Sequence, residues 1–289
     1  MPEGDTVWLS AKRMHDALAG RVLTATDFRV PQLAEVDLAG RAVLEVVPRG
    51  KHMLTRIEQG LTLHTHFRMD GTWHLYAAGE RRTGGPDWQV RAVLENAERQ
   101  AVGYRLPVLE LLATAEEDSV VGHLGPDLLA EDVDETEALR RLAAEPDREV
   151  GMALLDQRVM AGLGNLYRCE VLFLRGVTPW TRVGDVPDLP ALVRTSRRLL
   201  VANRGHWEQT TTGSLRRGED HWVFERTGRP CRRCGTRVLS AEQREPQAPA
   251  YQSARLTYWC PRCQLGPAPP PLRPPSRASR PQGRTSYRP

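Results

Sequence analysis

Four of the five cysteines stand in two pairs, Cys231-x2-Cys234 and Cys260-x2-Cys263, with 25 residues between the pairs. Two such knuckles on adjacent strands are the spacing of a tetrahedral four-thiolate zinc site. The competing use, two disulfides, is disfavoured because the start MPEGDTVW is acidic and short of apolar residues, unlike a secretory signal. A redox CxxC is disfavoured by the presence of two pairs. Four thiolates leave no coordination position for water, so one zinc ion here is structural and the chemistry lies elsewhere. The Arg-rich segment around the pairs is too small to bury a core, and metal binding supplies on the order of 10 kcal/mol to such modules. The 25 intervening residues allow a β-hairpin with a projecting tip. Arg255, toward that tip, is either a phosphate grip or an ordinary surface residue, and the spacing does not choose. Cys169 falls in mid-helix as a small buried apolar group.

The charges are segregated along the chain. The formal net charge is +4, but Gly266–Pro289 holds five Arg and no acid, leaving 35 basic against 36 acidic side chains elsewhere. A nucleic-acid face must therefore come from local clustering. Arg226–Cys263 carries eight Arg and two Glu, whereas Glu110–Leu139 carries ten acids and no Lys or Arg. The acidic stretch reads as a solvated linker and helix face. Of 40 basic residues only Lys12 and Lys51 are Lys. Lys can lose its proton and Arg effectively cannot, so a Lys kept among so many Arg can serve a purpose a guanidinium cannot. Lys12, beside Arg13 on a helix surface, reads as solvated. With no apolar run long enough to span a bilayer, the chain is expected to be cytoplasmic.

The pattern predicts an α+β multidomain protein. Val7, Met14, Ala17 and Leu18 make a helical stripe over Gly4–Leu18, stopped by Gly20. Short β-branched runs follow at Val43–Val47 and Met53–Ile57, with a Glu58-Gln59-Gly60 turn and period-two apolars from Leu61 to Phe67. This is an N-terminal β-sandwich with a leading helix, over residues 1–118. Helices are expected over Asp134–Ala144, Val150–Met160, Leu166–Leu174 and Leu189–Asn203 in a domain of residues 119–224. A four-cysteine hairpin follows over 225–265, then a Pro- and Arg-rich tail, 266–289, with little to bury and therefore disordered.

Within Leu154–Tyr167, two helices meet at Gly162-Leu163-Gly164, where glycines one residue apart permit a left-handed turn. Asn165 stands as the expected N-cap of the second helix, whose free N–H groups and dipole make a phosphate site. Taken alone, the segment is better explained as an ordinary helix hairpin with an Asn cap.

Pro2-Glu3-Gly4 at the start, LLDQ…AGLGNLY in the middle and TYWCPRCQ near the end closely resemble, in that order, the formamidopyrimidine-DNA glycosylase/endonuclease VIII family. The resemblance covers residues 1 to about 265. It implies a monomeric, bacterial bifunctional DNA glycosylase and AP lyase of base-excision repair, acting on damaged double-stranded DNA at the nucleoid. Pro2, exposed once Met1 is removed, is the implied nucleophile. A terminal amine titrates near 7.7–8.0 against about 10.4 for Lys, so more of it is neutral at pH 7. Glu3 is the implied proton donor and acceptor. Lys51, in the Pro48-Arg49-Gly50-Lys51-His52 turn, is implied to contact phosphate and assist catalysis. Gly164, Asn165 and Arg255 match the phosphate clamp. Arg68, Met69 and Asp70 match the loop that fills the gap left by an extruded base, with Met69 as the apolar wedge.

Two departures stand out. Thr6, preceded by Asp5, occupies a position where many members carry a second Glu, which leaves the proton relay open. The interval between the Cys pairs is longer than usual for the family. PEGDTVW and Thr210–Arg217 lean to the endonuclease VIII branch, whereas RMDG leans to the formamidopyrimidine branch. The resemblance thus implies oxidised pyrimidines and hydantoins as substrates and β,δ-elimination as the cleavage. An 8-oxoguanine/formamidopyrimidine enzyme, a lyase acting mainly on abasic sites, and a non-catalytic DNA-binding module are the rivals.

Overall fold

The computed structural model describes residues 2–245 and 254–269. The chain opens on helix α1 (Gly4–Leu18), whose apolar side chains Val7, Ala11, Met14 and Leu18 are buried. Eight strands follow: β1 (Ala25–Phe28), β2 (Val43–Arg49), β3 (His52–Ile57), β4 (Leu61–His66), β5 (Thr72–Ala77), β6 (Val90–Glu95), β7 (Arg99–Tyr104) and β8 (Val108–Ala113). They form two four-stranded antiparallel sheets, ordered β1-β6-β7-β5 and β2-β3-β4-β8. Met53, Ile57 and Leu63 of one sheet share a core with Trp73, Leu94 and Ala101 of the other and with α1. The expected sandwich with a leading helix is thus present. The Glu58-Gln59-Gly60 turn joins β3 to β4 with φ of 66° and 69° at Gln59 and Gly60. Positive φ at both central residues matches the turn to strand twist.

The second half is helical: α2 (Asp118–Val121), α3 (Glu135–Ala143), α4 (Val150–Ala153), α5 (Asn165–Arg175) and α6 (Leu189–Asn203). The helix expected over Val150–Met160 stops at Ala153. Beyond it the backbone is drawn away: Gly125 N–H donates to Gln157 O at 2.8 Å and Ala161 N–H to Pro126 O at 2.9 Å. The Gln157 amide then donates to Leu155 O and Leu163 O and accepts from Gly162 N–H, which pins the turn into α5.

Strands β9 (Leu239–Gln243) and β10 (Arg255–Trp259) pair antiparallel as the C-terminal hairpin. The hairpin is continuous with the helical core, to which Tyr258, Val238, Cys231 and Cys260 contribute beside Phe173 and Leu172. Arg168 of α5, fully buried, donates to Gln243 Oε1 and Thr257 Oγ1 on the two strands and locks the hairpin to the helix. The tail expected to be disordered lies outside the described residues from 270 onward; Gly266–Pro269 carry neither helix nor strand. Among the described residues, no helix is long and apolar enough to cross a membrane.

Candidate active site

Three segments distant in sequence meet at the start of α1. Gly4 N–H donates to Gly162 O at 2.9 Å, and a Cβ on Gly4 would lie 2.9 Å from Gly162 Cα, so the contact is backbone on backbone. The β2–β3 turn arrives beside it: Gly50 N–H donates to Asp127 Oδ2 at 2.6 Å, with Gly50 at φ 59°. The first turn of α5 completes the junction.

Glu3 sits at the centre, fully buried. Its carboxylate accepts from Gly164 N–H at 2.7 Å and Leu166 N–H at 2.8 Å. These are free donors of the start of α5, so Glu3 caps that helix from another part of the chain. The expected cap, Asn165, is instead the first helical residue, and Gly164 is the N-cap. Only Gly162 of the two turn glycines is left-handed, at φ 107°. Gly164 is required for room: a Cβ there would lie 2.6 Å from Glu3 Cδ and 2.8 Å from Lys51 Nζ. The two charged ends therefore meet over this glycine.

Burial drives the Glu3 pKa up to about 7, with Lys51 drawing it down and Asp5 pushing it up. Burial likewise lowers the Lys51 ammonium, with Arg255 adding to the effect and Glu3 opposing it. Pro2, Glu3, Lys51, Gly164, Asn165, Arg255, Arg68 and Met69 all line one cavity of about 620 Å³. Residues from both ends of the sequence are thus brought together. Asp70 lies on the adjoining face, with Arg68 and Met69, where Arg105 Nε donates to Asp70 O at 3.2 Å.

The Phe67–Gly71 loop is exposed at its tip. Met69 is 54% exposed, so it is a loop-tip side chain and not a buried strand residue. Gly71 N–H closes the loop onto Phe67 O, and Arg68 N–H donates to His66 Nδ1. Asn165 Nδ2 donates to Leu256 O at 2.9 Å while its Oδ1 accepts from Arg168, so the amide ties α5 to the hairpin beside Arg255. Tyr167, Gln209 and Arg105 are not among the sequence-predicted site residues. None carries a local signal, since each is recognised only by its partner across the fold.

The Sγ atoms of Cys231, Cys234, Cys260 and Cys263 all lie within 4.8 Å of one another. Neighbouring pairs stand at 3.5 and 3.9 Å, far from a disulfide and close to the roughly 3.8 Å edge of a tetrahedron with Zn–S bonds of about 2.3 Å. The four thiols fit one metal ion. Cys169 stays apart, buried in α5.

The chain matches the model of the formamidopyrimidine-DNA glycosylase N-terminal domain over residues 1–105 and that of the corresponding helix–two-turn–helix domain over 124–187. It is 56% identical to "Probable endonuclease 8 2" of Streptomyces coelicolor, covering 100% of this chain and 99% of that one. It is 43% identical to "DNA-(apurinic or apyrimidinic site) lyase Nei2" of Mycolicibacterium smegmatis, covering 91% and 99%. Its fold is similar to that of Lactococcus lactis Fpg in complex with abasic-site DNA, with a TM-score of 0.74, 22% identity and coverage of 91% and 100%.

Proposed function

The chain belongs to the formamidopyrimidine-DNA glycosylase/endonuclease VIII family, on its endonuclease VIII side, and from that premise we propose that Pro2, Glu3 and Lys51 carry its chemistry. It is a bifunctional DNA glycosylase and AP lyase of base-excision repair. The neutral Pro2 amine attacks C1′ of the damaged nucleotide. Glu3 gives its proton to the ring oxygen as the sugar opens, and the base departs with the C1′–N bond electrons and takes up the proton that the Pro2 nitrogen releases. The resulting Schiff base acidifies C2′, and elimination on the 3′ side and then the 5′ side leaves a one-nucleotide gap. The covalent intermediate divides one hard displacement into easier steps. Lys51, whose ammonium sits beside Glu3, meets the phosphate.

The observation that carries this reading is the buried Glu3 carboxyl, next to Pro2 and pinned by two N–H groups at the floor of a 620 Å³ cavity. A carboxyl titrating near neutrality can serve as donor first and acceptor later. Arg255 and Asn165 grip the phosphates beside the lesion, and Met69, flanked by Arg68 and Asp70, enters the stack in place of the extruded base. Cys231, Cys234, Cys260 and Cys263 hold one structural zinc, which fixes the hairpin bearing Arg255. Working boundaries are 1–118, 119–224 and 225–265, in a monomer acting on duplex DNA at the nucleoid. Oxidised pyrimidines and hydantoins are the proposed lesions. The name of the Mycolicibacterium smegmatis relative favours a second reading, in which preformed abasic sites are the main substrate.

Borohydride reduction of the enzyme on a duplex with one abasic site, with the cross-link mapped by mass spectrometry, tests the nucleophile. An adduct on Pro2 is expected. An adduct on Lys51 would replace the nucleophile, and none at all, with DNA bound, would leave only a binding module. Rates on an intact oxidised pyrimidine against an abasic site separate the two substrate readings. Gly164→Ala is expected to slow base removal by about 10²-fold, the cost of misplacing reacting groups by around an ångström. Its methyl would displace Glu3 and Lys51, as single-turnover kinetics on bound DNA will report.

A further inference from the structure

Asp5 is fully buried, two residues after Glu3. Its Oδ2 accepts from Tyr167 O–H at 2.5 Å, and Gln209 Nε2 bridges Oδ1 and Oδ2 at 3.0 and 3.1 Å. Both partners are neutral, and among the described residues no cation lies within 4.0 Å of it. A first-turn acid gains from the helix dipole without leaving water. This one is withdrawn from water, which raises its pKa, and the hydrogen bonds donated by Tyr167 of α5 and by Gln209, from the segment after α6, oppose that rise and favour the carboxylate. Tyr167 lies on α5, the helix whose first turn holds Glu3, so the two carboxylates hang from one helix end.

We propose that Asp5 is a positioning residue for the proton on Glu3: its buried negative charge offsets the pull of Lys51 and opposes ionisation of the catalytic carboxyl. The inference rests on the reading of Glu3 as proton donor. The charged or titratable groups that bear on this pair are Lys51 from the β2–β3 turn and Tyr167, the buried Arg168 and Cys169 from α5, with Arg255 from β10 acting on Lys51. Burial is the main cause that raises Glu3 to about 7; Lys51 opposes it and Asp5 adds to it, so Asp5 offsets part of the pull of the adjacent ammonium. Asp5 thus supplies a second carboxylate without a Glu at position 6. Thr6 Oγ1, 3.4 Å from Gln209 Nε2, faces the same amide.

The test is the pH profile of single-turnover base removal between pH 5 and 9. The wild-type alkaline limb is expected near the Glu3 pKa of about 7. Asp5→Asn and Asp5→Ser should move that limb down by about half to one pH unit, so that they match wild type at pH 5.5 and lag about 3–10-fold at pH 8. Asp5→Glu should keep the limb in place whatever its absolute rate. Should the neutral variants not fold, Gln209→Leu removes one donor from Asp5, lets it take up a proton more readily and moves the limb the same way by less. A uniform loss at every pH, or an equal shift in Asp5→Glu, would overturn the proposal. Wild type that traps on abasic DNA while the Asp5→Asn limb stays put defeats this inference alone. Wild type that does not trap defeats the underlying reading and this inference with it.

Discussion

Glu3→Gln is expected to slow removal of an oxidised base by about 10²–10⁴-fold, the range for loss of a positioned proton donor. The variant should still bind a duplex carrying a stable abasic analogue, because the Glu3 carboxylate is bonded to the start of α5 and not to Arg255, the proposed phosphate grip. The same substitution should stabilise the fold at alkaline pH. A carboxyl with a pKa of about 7 in the fold and 4.5 in the open chain holds its proton more tightly when folded. The pH-dependent part of its burial cost is therefore absent below about pH 4.5 and grows as pH rises, reaching about 3 kcal/mol above pH 7. Gln carries no such penalty, so the variant should melt above wild type at pH 8 and converge with it near pH 5. Rate and melting temperature, measured on the same preparations, move in opposite directions if Glu3 is the buried acid. Slow turnover with an equal loss of stability at both pH values would instead mark it as a helix cap.

The parts of this site that were legible in the sequence are those whose signals are local. The Cys pairs declare themselves by spacing, the strands by alternation, and the β3–β4 turn by Gln59-Gly60. The start Pro2-Glu3-Gly4 and the segment around Gly162 were legible as motifs, but not the contact between them, which spans the chain. The Asn165 cap was misplaced for the same reason. Local rules assign a cap to the nearest polar side chain, whereas the α5 donors are satisfied by Glu3 from 161 and 163 residues away. Freed from that task, Asn165 reaches the hairpin. Helix α4 was overextended because the apolar period persists to Met160 while Gln157 diverts the backbone. The departure legible at the start of α1 is Thr6, with Asp5 before it, but the burial of Asp5 and its tie to Gln209 depend on the folded segment between α6 and β9.

Removing the metal is expected to abolish DNA binding and strand cleavage together. Strands β9 and β10 share only five register pairs, and Arg255 belongs to the strand that ends at Cys260. Without four thiolates drawn to one ion, nothing local holds the two knuckles 3.5–3.9 Å apart. Structural zinc contributes on the order of 10 kcal/mol to modules of this kind. The loss should reach the helical domain, because Cys231, Val238, Tyr258 and Cys260 sit in its core and Arg168 would be left buried without Gln243 and Thr257. Arg168 would keep Gly151 O and Asn165 Oδ1 but lose two acceptors in a buried site, at a cost of about 1–3 kcal/mol for each donor left unpaired. Cys260→Ser, or a strong chelator, should therefore lower the melting temperature of the whole C-terminal half, and affinity for abasic-analogue DNA should fall by at least about 10²-fold. Elemental analysis should find one zinc per wild-type chain. Retained binding after the metal is stripped, with a disulfide found between the pairs, would mean that the hairpin is held covalently. Retained binding with free thiols would mean that packing on α5 suffices, and the four cysteines would then be dispensable for placing Arg255.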